Sequence, residues 1–76
     1  MTSLDRMLPG QKGRVIGLTG DSPIARRLME MGLYPGRSVV FLRDAPLHDP
    51  LEIRIGGSCL SLRRAEASLV AVEVED

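Results

Sequence analysis

Residues that most often carry chemistry are scarce in this chain. Among 76 residues there are one cysteine, one histidine, two aromatic side chains and no tryptophan. Cys59 has no second thiol to pair with, so no disulfide forms within the chain and a reducing compartment suits it. A closed structural zinc site takes more Cys and His ligands than Cys59 and His48 supply. Long apolar runs are also missing. The longest, Val39 to Leu42 and Leu69 to Val72, have four residues each, against roughly 20 for a spanning helix. Nothing in the chain is therefore expected to enter a bilayer. The first residues show neither the basic start nor the apolar segment of a secretory signal, which points to the cytoplasm. Catalytic signatures are as thin: there is no Gly-rich phosphate loop and no serine in a nucleophile elbow, and Cys59 and His48 fall on separate elements. No enzyme is expected. Nucleic acid is not an expected partner either, because Tyr34 and Phe41 do not make a stacking platform and the net charge is zero.

What is present is an ordinary apolar share, 43%, beside 26% charged residues, enough for one small core. Residues 1–76 are expected to form a single domain. Charge is uneven along it. Residues 1–43 carry seven Lys/Arg and three Asp/Glu, and the rest carry three and seven. A barrel that interleaves both halves would mix them.

The stretch from Gly20 to Gly36, GDSPIARRLMEMGLYPG, organises the chain. Asp21 or Ser22 can accept orphan backbone N–H bonds ahead of Pro23, where a missing donor does no harm, so a helix starts there. Ile24, Leu28 and Met31 recur at i, i+4 and i+7 and are expected to form its buried face. Gly32 can turn left-handed after the last turn, Leu33 can fold back, and Pro35-Gly36 suits a tight turn.

Strands account for the rest. Gln11–Thr19 sets β-branched residues between Gly13 and Gly17, as a bent strand would. Arg37–Arg43 is β-branched and aromatic. Leu51–Ile55 and Ser58–Leu62 alternate around the hairpin signal Gly56-Gly57. Leu69–Val74 closes the chain. Thr2–Leu8 is a lead-in that tucks leucines onto the core, Asp44–Pro50 a loop, and Arg63–Ala67 one helical turn. The fold expected is mainly β with one helix: a small SH3-like barrel of five short strands, the helix inserted between the first and second and covering one opening. An open edge strand in such a barrel leaves room for a homodimer.

Arginine and tyrosine are favoured interface anchors, so Arg26, Arg27, Leu33 and Tyr34 are the candidate partner-binding residues. Arg26 is also spaced to pair with Glu30. His48 and Asp49 are the candidate metal ligands, since imidazole and carboxylate suit divalent iron or zinc. They would need ligands from another chain to complete a site, so no firmly held cofactor is expected.

Met7-Leu8-Pro9-Gly10, then Gly13-Arg14-Val15, then RRLMEMGLYPG from Arg26 to Gly36, then APLHDP from Ala45 to Pro50, and LSLRRAEA from Leu60 to Ala67 follow one another in an order that resembles the ferrous iron transport protein A (FeoA) family. The resemblance covers nearly the whole chain. It implies a small cytoplasmic accessory protein with a barrel-plus-helix fold, acting on the membrane ferrous iron transporter (FeoB), which carries a G-domain. It also implies kinship with the C-terminal barrels of iron-dependent repressors, and with it the alternative of a metal-responsive regulatory barrel. Where the family often has glycine before the Asp-Pro of the loop, this chain has His48, which removes backbone freedom.

Overall fold

A computed structural model describes residues 1–75. In chain order the elements are β1 (Thr2–Ser3), a 3-10 turn (Leu4–Arg6), β2 (Lys12–Leu18), α1 (Pro23–Glu30), β3 (Ser38–Asp44), a second 3-10 turn (Pro46–His48), β4 (Leu51–Ile55), β5 (Ser58–Leu62), α2 (Arg64–Ala67) and β6 (Val70–Glu75). All strand pairs are antiparallel, in the order β1-β6-β2-β3-β4-β5. Among the described residues there are thus six strands rather than the five expected, and the helix follows the second of them. The extra strand is β1, whose Thr2 and Ser3 pair with Val72 and Ala71. Two residues are too few to carry an alternating pattern, which is why the lead-in hides a strand. Among the described residues the ladder stays open, with β1 and β5 at its edges.

One face of this sheet supplies most of the core. Val15 from β2, Val39 and Phe41 from β3, Leu51, Ile53 and Ile55 from β4, Leu62 from β5, and Val70 and Val72 from β6 share one buried cluster. Leu4 and Met7 of the lead-in join it, while Leu8 is left exposed. The bend read from Gly13 and Gly17 corresponds to a register shift between Val15 and Gly17, where β2 pairs with β6. An extra residue in one strand increases local twist, which helps a single sheet wrap over one core.

The helix ends follow the expected chemistry. Ser22 Oγ accepts the Ala25 N–H at 3.1 Å, and Pro23 occupies the first turn. At the other end the Gly32 N–H bonds to Met29 O and the Leu33 N–H to Leu28 O, the Schellman arrangement, with Gly32 at φ +117°. Leu28 and Leu33 are both fully buried, so this cap is also a core contact.

The buried face differs from the expected one. Ala25 and Leu28 face the core, whereas Ile24 is 45% and Met31 39% exposed. An eight-residue helix over a small sheet buries a narrow arc, and Ala25 and Leu28 fill it. Met31 lies beyond the last helical residue, at the cap, and so leaves the stripe that a 3.6-residue period assigns to it.

Candidate functional site

Two surfaces hold the residues singled out by sequence: α1 with its exit turn, and the loop between β3 and β4. On the first, Arg26 and Arg27 leave the helix in different directions. Arg26 reaches Asp21 at 3.5 Å instead of pairing with Glu30, and 70% of its side chain is exposed. Arg27 pairs with Glu66 and so ties α1 to α2. Leu33 cannot serve as a surface residue, since its exposure is 0%. The Schellman turn that stops the helix folds it inward, which removes it from the partner-binding set. Tyr34 remains outside, its hydroxyl accepting from Arg37, whose guanidinium carbon lies 5.3 Å from the ring centroid.

Sequence reading missed the apolar part of this surface. Ile24, Met29, Met31 and Tyr34 are all exposed, half of the eight exposed large hydrophobic residues among the described residues, and they lie within one helix and its exit. The signal was there: Ile24, Leu28, Met29 and Met31 are more apolar bulk than an eight-residue helix can bury against one sheet.

In the β3–β4 loop, His48 Nδ1 lies 3.4 Å from Asp44 Oδ2. Asp49 Oδ1 accepts the Arg64 N–H at 3.0 Å and so caps the first turn of α2. The two candidate metal ligands are therefore adjacent in sequence but differently engaged, and no group of three or more His, Cys, Asp or Glu side chains is placed to hold a metal among the described residues. Arg64, taken only as part of a helical turn, is the organiser of this loop. Its Nε donates to His48 O at 2.8 Å, Nη2 to Asp44 Oδ1 at 2.6 Å, and Nη1 to Asp5 O. Leu47 and His48 both have positive φ, +68° and +64°, and the His48 value is one that glycine would adopt without cost.

The family model described as "FeoA domain" matches residues 2–74. The chain belongs to the FeoA family. A Porphyromonas gingivalis Fe(2+) transport protein A/Fe(2+) transporter FeoB fusion protein is 31% identical over 71 residues, which are 93% of this chain and 8% of that protein. The chain thus spans under a tenth of this relative's length. The solution structure of iron(II) transport protein A from Clostridium thermocellum superposes with a TM-score of 0.90 at 36% identity, covering 96% of this chain and 45% of that one. Stenotrophomonas maltophilia FeoA, solved as a complex with zinc and described as an SH3 domain protein, gives 0.84 at 27% identity over 96% of this chain and 91% of its own. The crystal structure of T. acidophilum IdeR shares the fold alone, with a TM-score of 0.84 at 19% identity over 97% of this chain and 34% of that one. The SH3-like fold stands on these likenesses, and the likeness to IdeR is one of fold. No helix among the described residues is long and apolar enough to cross a membrane.

Proposed function

We propose that this FeoA domain is a protein-interaction module of ferrous iron uptake that docks on the cytoplasmic part of the membrane ferrous iron transporter. One observation carries the reading: in the Porphyromonas gingivalis relative, a homologous segment is part of a single protein named for both FeoA and the transporter FeoB. Covalent joining of the two parts in that relative is what a domain that works against the transporter would show. The docking face is α1 and its exit turn, where Arg26, Tyr34, Ile24 and Met29 present charged, aromatic and apolar groups together. Arg27 contributes less, because its guanidinium is already held by Glu66.

The test is affinity for the transporter's isolated cytoplasmic region. Replacing Arg26 by Glu and Tyr34 by Ala together should weaken binding at least roughly tenfold if both are anchors. Unchanged affinity in a folded double variant rejects this face.

A second reading, a metal-responsive barrel, is favoured by the zinc complex of the Stenotrophomonas maltophilia protein. Here His48, beside Asp44 and Asp49, would bind divalent iron or zinc with ligands from another chain. Anaerobic calorimetry with ferrous iron and with zinc should give heat that His48→Ala removes. Identical titrations of the two proteins dismiss the site.

A further inference from the structure

The two edges of the sheet are unlike each other. β1 is two residues long, too short to template a neighbour, whereas β5 runs for five residues, Ser58–Leu62, with no charge and no proline. Natural edges are usually blunted by a lysine, a proline, a bulge or shortness, and β5 has none of these.

The hairpin fixes which backbone groups β5 leaves open. Gly56 has positive φ and Gly57 does not, a two-residue turn of the II′ kind that closes on a hydrogen-bonded pair, Ile55 and Ser58. Bonded and non-bonded pairs alternate from there, so Leu60 bonds to Ile53 and Leu62 to Leu51. Cys59 and Ser61 sit in the non-bonded pairs with Arg54 and Glu52. Their N–H and C=O groups point away from β4, along the free edge.

We propose that β5 is a self-association edge, pairing antiparallel with β5 of a second copy about a two-fold axis through Leu60. The register follows from charge. With the axis at Leu60, Cys59 faces Ser61 of the second copy, and each cross-strand row runs from Arg54 on one copy to Glu52 on the other. An axis at Cys59 would put two Arg54 side chains on one row, and an axis at Ser61 two Glu52 side chains; like charges along a row oppose pairing. Arg54 has no carboxylate partner among the described residues, and Glu52 gives only Oε1 to Arg43. On the inner side the half-buried Leu60 meets its own symmetry mate, covering apolar surface that the single chain leaves partly open. Arg63 lies opposite Gly57, which has no side chain to obstruct it. A two-fold operator makes such an edge complementary to itself, which is why a second copy is the occupant.

Sedimentation velocity and a cross-link test this. The mass of the full chain should rise with concentration to that of two chains, and Ser61→Pro should hold it at one. Proline at this position removes an outward N–H that the β4 ladder does not use, so the far-UV spectrum should be unchanged. Under mild oxidation, Ser61→Cys should give a covalent dimer much faster than the unmodified chain. Its new thiol faces Cys59 of the second copy, with Cα atoms about 5.5 Å apart in a bonded pair, whereas two Cys59 residues stand diagonally, about 7–8 Å apart. A chain that stays monomeric at the concentrations used for NMR overturns the proposal, as does a Ser61→Pro dimer. Equal cross-linking with and without Ser61→Cys overturns the register, and the cross-link decides the matter even if Ser61→Pro fails to fold.

Discussion

Arg64 ties its own segment to two others far from it and from each other in sequence, one at Asp5 and one from Asp44 to Asp49. Its guanidinium is shared by the 3-10 turn at Asp5, the β3 end at Asp44 and the loop at His48, and its backbone N–H is held by Asp49. One third of the side chain is exposed, so water partly screens the ion pair with Asp44. The hydrogen bonds to two carbonyls depend on the fork shape of guanidinium, which an ammonium does not reproduce. Arg64→Ala should therefore cost about 1–2 kcal/mol, and Arg64→Lys should recover little of it, measured as a shift in urea midpoint at constant slope. Leu47 makes the opposite case. It is 94% exposed at φ +68°, so it packs against little and holds a left-handed conformation that costs a branched side chain about 1–2 kcal/mol. Leu47→Gly should raise stability by about 0.5–1 kcal/mol, the strain relieved less the extra unfolded-state freedom of glycine. A fall in the urea midpoint would show that Leu47 does more than sit in solvent.

At the scale of the element, α1 separates residues that a periodicity treats alike. Leu28→Ala should cost about 2–5 kcal/mol, as for a filled core position, whereas Ile24→Ala should cost well under half of that because Ile24 is 45% exposed. Equal losses would restore the face that the sequence suggests. Gly32→Ala tests the cap: Ile55 leaves ordinary contact distance for a methyl group, 3.7 Å, so the cost of about 1–2 kcal/mol is conformational. Both ends of this helix were legible in the sequence because capping is local chemistry: a serine before a proline, a glycine before a leucine. Its buried arc was not, since that depends on how the helix is rotated over the sheet, and Ala25 carries no signal of its own. For the same reason β4 and β5 could be read from alternation and the hairpin glycines and β3 from its β-branched and aromatic run, whereas β1 could not. Of the candidate surface, Arg26 and Tyr34 remain where a partner could reach them, Leu33 was lost to the cap, and Arg64 was hidden because its acceptors include main-chain carbonyls with no residue signature.

For the molecule as a whole, the lead-in is part of the structure rather than a preface to it. Leu4 is fully buried and Met7 is 3% exposed. Thr2 and Ser3 pair with the last strand, and Asp5 O receives Arg64. A 76-residue domain carries about 4–11 kcal/mol of net stability. Emptying two core positions of this kind costs about 2–5 kcal/mol each, before the loss of the β1 ladder and of an acceptor for Arg64. A chain that begins at Leu8 should therefore be unfolded or close to it, with a collapsed amide dispersion in its NMR spectrum and no cooperative urea transition. The double variant Leu4→Ala/Met7→Ala should reproduce much of that loss while keeping every backbone hydrogen bond of β1, which separates the contribution of packing from that of the ladder. If the truncated chain instead melts cooperatively near the intact one, the core must close without its first residues.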